Sequence, residues 1–193
     1  VAGTMSSANA GISPELLSSG IINIIDIGVT GDSGNIKVKA DSLVLADGAQ
    51  INSGNYGQGK SGNINLDING LISMGDAAKF TFRGSSSLIN SAILSQLGKD
   101  ANGSGGNIDI QAGSISMLDI SEISASTFGE GNAGNISMHV NEDISVSELS
   151  SIRSVVESGG DGDGGNIDIQ TRSLTLTDGS QVVAGVFRES EDL

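Results

Sequence analysis

Five times along this chain a Gly-Asn pair is followed by Ile and a short run in which every second residue is apolar. The pairs are Gly34-Asn35, Gly62-Asn63, Gly106-Asn107, Gly134-Asn135 and Gly165-Asn166, and the runs read NIKVKA, NINLDI, NIDIQA, NISMHV and NIDIQT. Successive Asn residues lie 28, 44, 28 and 31 positions apart, which defines a degenerate repeat of about 28 residues and hence a solenoid. Alternation with period two places Ile36 and Val38, Ile64 and Leu66, Ile108 and Ile110, Ile136 and Met138, and Ile167 and Ile169 on one strand face.

A second strand follows about eight residues later. It carries Leu43 and Leu45, Ile72 and Met74, Ile115 and Met117, Ile144 and Val146, and Leu174 and Leu176, with two one-residue offsets that imply small bulges. The third strand is anchored by Ile51, Ile89, Ile123, Ile152 and Val182, with Ser53, Ser91, Ala125, Ser154 and Ala184 two residues on. Three short strands per repeat, each with one buried face, make a three-sided all-β coil. The five repeats predict five to six coils over residues 31–193, preceded by a segment, 1–30, that forms a partial coil or cap.

Two columns of side chains follow if coils stack about 4.8 Å apart. Asn35, Asn63, Asn107, Asn135 and Asn166 would form a ladder of amides bonded above and below. Tyr56, Leu94, Phe128 and Phe187 fall five residues past their third-strand anchors, so three of the five aromatics would form a second column. The Gly before each Asn fits a corner with positive φ. Ser13-Pro14-Glu15, then Leu16, Leu17 and Gly20, suggest a short N-terminal helical turn with Ser as cap.

Composition narrows the partners. A formal charge of −14, with nine Lys plus Arg, repels phosphate backbones and anionic lipid, which argues against nucleic acid. No stretch approaches 18 apolar residues, so no membrane insertion is expected, and the amino terminus lacks the charged-then-apolar pattern of a signal peptide. The absence of Cys excludes a disulfide framework and suits a chain exported unfolded.

The strings GNI plus alternating strand, SLTLTDGSQV or SLVLADGAQI, and ISASTFGEGNAGN resemble the repeats of filamentous-haemagglutinin-like exoproteins of the two-partner secretion type, especially long cyanobacterial ones, over about residues 31–190. The resemblance implies a right-handed parallel β-helix, export through an outer-membrane two-partner secretion transporter, a secreted or cell-surface location and a non-enzymatic role as an adhesin shaft. Surface glycans or proteins are the partners it suggests; it implies no cofactor.

Three strings and one carboxylate pair mimic chemistry. Gly54–Ser61, GNYGQGKS, has the phosphate-loop spacing, but a strand rather than a helix follows Lys60 and Ser61. Gly31-Asp32-Ser33-Gly34 echoes a protease nucleophile segment, yet the single His139 falls three coils away. GGDGDGGNID, Gly159–Asp168, echoes calcium-binding β-rolls once, leaving Asp161 and Asp163 as weak Ca²⁺ ligands in a calcium-dependent surface-layer alternative. Asp109 and Asp168 share an outward column two coils, roughly 9–10 Å, apart, which is the basis of a carbohydrate-active or carbohydrate-binding alternative. Lys39 and Asp67 form an outward pair on neighbouring coils.

The second repeat is longer than its siblings. An insert at about 76–84 holds Lys79, Phe80, Phe82 and Arg83, two of four Phe beside two scarce cations. It is a candidate contact loop, or an extra strand closing over the coil.

Overall fold

A computed structural model describes residues 19–82 and 85–187. Among them there is no helix: the coils are built from strands paired in parallel with those of neighbouring coils. The chain is a β-solenoid of five coils preceded by a leading strand, Gly20–Ile22.

The register is the one that the alternation predicts on the first two faces. Ile36, Ile64, Ile108, Ile136 and Ile167 form one column, and Leu43, Ile72, Ile115, Ile144 and Leu174 another. These two faces are one sheet rather than two, because in coils two and three a single strand, Ile64–Met74 or Ile108–Met117, runs round the bend. An extra residue in coil two is absorbed by a bulge, with Asn69 and Gly70 set against the single Gly113 between Ala112 and Ser114. In coil four the extra residue breaks the strand into Ile136–Val140 and Asp143–Val146.

The third face is a separate six-stranded sheet. Its inward column is Ile21, Ile51, Ile93, Ile123, Ile152 and Val182. Coil two therefore uses Ile93 and Ser95, not Ile89 and Ser91, and the insert is longer than the sequence suggests. It forms an antiparallel hairpin, Ala78–Phe82 against Ser85–Ile89. Its base seats on the neighbouring coil at Gly48, where a Cβ would come within 2.7 Å of the Ile89 carbonyl oxygen.

The helical turn expected at Ser13–Leu17 lies outside the described residues. Gly20, expected to end that helix, instead starts the leading strand. Ile25 and Thr30 bridge to Asn55 and Gln58, so residues 20–30 stack on coil one as a partial coil.

The core is a rod of aliphatic side chains. Ile64, Ile72, Ile93, Ile108, Ile123, Ile144 and Ile152 are fully buried, as are Met74 and Met117 at the ends of their strands. Burial fades at the last coil: Leu174 and Leu176 are 41% and 42% exposed, whereas Ile144 and Val146, one coil earlier, are 0% exposed. Stability in such a stack comes from neighbour-on-neighbour burial, so the final coil has half the partners of an internal one.

Small polar residues close three of the five turns. Ser53, Ser95 and Ser154, inside the third face, donate their hydroxyls to the carbonyls of Gly34, Gly62 and Gly134 at 2.6–2.8 Å. This links the end of a coil to its start without leaving a buried polar atom unpaired.

The glycines before the asparagines have a different reason from the one expected. None has positive φ. A Cβ at Gly62, Gly106, Gly134 or Gly165 would instead lie 2.0–2.3 Å from the carbonyl oxygen of the equivalent Gly one coil back. Close stacking of backbone on backbone, not the turn, excludes a side chain.

Positive φ is concentrated in the turn joining the second and third strands, at Asp47-Gly48, Asp119-Ile120, Glu148-Leu149 and Asp178-Gly179. Both residues of each pair are left-handed, as in a type I′ turn. Ile120 at φ 55° is a β-branched residue where its counterparts in coils one and five are Gly. Ile120→Gly is expected to raise stability by about 1 kcal/mol, seen as an upward shift of roughly 2–4 °C in Tm. A fall in Tm would mean that the Ile120 side chain contributes more than its backbone costs.

Candidate functional site

The expected asparagine column is an outward-facing ladder. The backbone N–H of Asn63 donates to the Oδ1 of Asn35, Asn107 to Asn63, Asn135 to Asn107 and Asn166 to Asn135, each at 2.8 Å. Bonding runs from main chain to side chain rather than from amide to amide, because the backbone donor at this corner faces the side chain one coil back. All five side chains are exposed.

The continuous aromatic column does not form. Moving the coil-two anchor to Ile93 puts Gly98, not Leu94, at the aromatic position, and coil four has Glu157 there. Tyr56, Phe128 and Phe187 thus stand on one corner two coils apart, separated by Gly98 and Glu157. Gly98 makes room for the Tyr56 ring: a Cβ there would come within 2.4 Å of Tyr56 Cδ1. Leu94 lies on the outer side of the third face, between Asn52 and Ser124.

That outer side carries a groove of about 360 Å³. Gln50, Leu94, Gln96 and Glu122 project into it from the third face. Leu88, Ile89 and Asn90, at the foot of the hairpin, form one wall. Tyr56 and Phe128 form the opposite corner, and Arg153 and Glu157 the end.

The polar groups here are unevenly satisfied. Arg153 is 2.7 Å from Glu157, and its guanidinium carbon lies 5.9 Å from the Phe187 ring centre. Gln96 donates to the Ser124 hydroxyl at 3.0 Å, and Asn90 to Glu122 at 3.4 Å. Gln50 is 5% exposed with Oε1 unbonded, and Asn52, on the same strand and side, is fully buried with both amide atoms unbonded.

Burial pushes the Glu122 carboxyl above its ordinary value, and Arg153 only partly offsets this. An acid whose folded pKa is raised binds its proton more readily in the native state, so it costs stability as pH rises through the interval above its unfolded value. Glu122→Gln is therefore expected to raise Tm at pH 7 and leave it unchanged below the carboxylate range. Parallel thermal melts of both proteins at pH 7 and pH 3.5 check this, and a gain as large at the lower pH would contradict it.

The insert places Lys79 on the exposed strand of the hairpin, opposite Leu88. Arg83 lies outside the described residues, as do the side chains of Phe80 and Phe82. The hairpin's contribution to a site is thus its foot, Leu88 to Asn90, which the sequence assigned to the third strand.

The other strings are corners. Lys60 ends a short strand, Gln58–Lys60, and Ser61 donates to the Gln96 carbonyl, with strand Ile64–Met74 next. Ser33 is buried and donates to the Gly54 carbonyl in the first coil, while His139 is exposed on the fourth, between Gln111 and Gln170. Asp109, Ser137 and Asp168 share one outward column, and Asn65 donates to Asp109 at 3.4 Å. Asp161 stacks under Glu130, and the Asp163 N–H donates to Asn132; no three His, Cys, Asp or Glu converge on a metal-sized space among the described residues. Lys39 and Asp67 meet at 2.7 Å on the surface.

Fold and surface together define a parallel β-solenoid with a groove along its third face. No protein family, curated protein or solved structure matches this chain.

Proposed function

We propose that this chain is part of the non-enzymatic shaft of a secreted or cell-surface adhesin, exported through a two-partner secretion transporter as its repeats' resemblance to filamentous-haemagglutinin-like exoproteins implies. The observation that carries the reading is the continuous register of the third face from Gly20 to Val186. A stack of equivalent coils adds length in proportion to coil number, about 24 Å for five, and its neighbours can be any further coils of the same period. That is the geometry of a spacer.

The catalytic alternative has less support. Asp109 and Asp168 are about 10 Å apart with Ser137 between, at the far limit for a pair of hydrolytic carboxylates, and Asp109 is already bonded to Asn65. The calcium alternative rests on Asp161 and Asp163, whose nearest structural neighbours, Glu130 and Asn132, stand in separate stacked columns.

Antibodies raised against the folded chain test the proposal on intact cells of its source. The shaft reading expects them to label unpermeabilised cells and to find the antigen at the surface or in the medium. Labelling only after permeabilisation would overturn it.

A further inference from the structure

We propose that the groove outside the third face binds a neutral, extended oligosaccharide. The proposal goes beyond the shaft reading and does not depend on it: a spacer with an empty groove is still a spacer, and a glycan-binding groove does not require the chain to be one.

Three observations converge. The first is the unmet hydrogen bonding of Gln50, which lines the groove 5% exposed with Oε1 unbonded. Buried polar groups are ordinarily paired, and a partner for the Gln50 Oε1 must donate a hydrogen bond to it. A sugar hydroxyl does so.

The second is the spacing of the rings. Tyr56 and Phe128 flank the groove at one corner position, two coils apart, hence roughly 10 Å along the solenoid axis. Rings repeated along an axis suit a ligand that presents apolar ring faces at regular intervals, as a linear chain of pyranoses does. Phe128 is 37% exposed, so its ring is available.

The third is charge. Glu122 and Glu157 stand in the groove, Arg153 is held by Glu157 and Phe187, and the chain carries −14 overall. An acidic sugar would be repelled. An extended peptide is disfavoured for another reason. The third-face strands here are paired on both sides, so their backbone offers no edge for strand addition, and the groove runs across the strands over side chains.

Titration of the full chain with cellohexaose, xylohexaose, mannohexaose and chitohexaose, alongside oligogalacturonate and a neutral extended hexapeptide, tests the proposal. The side-chain NH₂ signal of Gln50 in ¹⁵N-correlated spectra reports the contact without mutation. At least one neutral hexasaccharide is expected to bind saturably with one-to-one stoichiometry and to shift the Gln50 signal. Phe128→Ala and Gln50→Ala should each weaken that binding tenfold or more, while Lys39→Ala, on another face, leaves it unchanged. Failure of every neutral hexasaccharide to shift Gln50 at millimolar concentration would overturn the proposal. So would tighter binding of oligogalacturonate or of the peptide, or unaltered binding by the Phe128 and Gln50 variants.

Discussion

Gly134→Ala is expected to destabilise the solenoid by about 3–4 kcal/mol, far more than a Gly-to-Ala change usually does. A Cβ at this position would lie 2.1 Å from the carbonyl oxygen of Gly106, one coil back. The only relief is to lift one coil off the next, which lengthens the ladder bonds on either side. For a chain of this size the loss corresponds to a fall of roughly 10 °C in Tm. Two companion variants isolate the cause. Gly75→Ala, where the added carbon meets Leu118 Cβ at an ordinary 3.5 Å, should leave Tm nearly unchanged. Gly134→Asn should be at least as damaging as Ala, because a side chain of any kind meets the same carbonyl. Were the position demanding positive φ, Asn would be tolerated better, and that outcome would refute stacking as the reason.

Ile110→Ala is the second large effect. Ile110 is 1% exposed in the central coil, between Leu66 and Met138. Truncation leaves a cavity whose walls are held by strands on both sides, so a loss of about 3–4 kcal/mol is expected. Ile169 is its counterpart in the last coil, paired to Met138 on one side and half-buried. Ile169→Ala should cost about 1 kcal/mol. Chemical denaturation of the two variants measures the difference. Equal losses would mean that the terminal coil is as well supported as the middle, contrary to stacking as the source of stability.

The sequence disclosed the first two faces because two independent signals agree there: the Gly-Asn pair marks where each coil begins, and alternation then fixes the register. It misplaced the third strand of coil two for a specific reason. Ile89-Asn90-Ser91 repeats Ile51-Asn52-Ser53 letter for letter, so local pattern favours it as the anchor. The hairpin decides otherwise, since Ile89 is needed to pair with Ala78. With Ile93 inward, Leu97 joins the corner column of Asn55, Thr127 and Val156. The aromatic column inherited the same misplacement. Of the groove, Tyr56 and Phe128 were legible as a recurrent position. Gln50, Gln96, Glu122 and Arg153 were not, because they come from four different coils and become one surface only through stacking and the fold of the insert.

The glycine columns show the limit of reading turn chemistry residue by residue. Gly before Asn looks like a turn residue, yet its constraint comes from the coil one repeat away, a contact no local window contains. Left-handed pairs lie instead at Asp47, Asp119, Glu148 and Asp178 and at the residue after each, where Asp-Gly in coils one and five was the only sequence hint.

Spin-label distances along one outward column test stacked coils in register most directly. Lys37, Asn65, Asp109, Ser137 and Asp168 are successive partners in that column, exposed at Lys37, Asp109, Ser137 and Asp168, and the absence of cysteine leaves an introduced pair as the only labelled sites. From Lys37 the separation should grow by one strand spacing per coil, to about 10 Å at Asp109, 14 Å at Ser137 and 19 Å at Asp168. Distances that fail to rise in proportion to the number of intervening coils would contradict the solenoid.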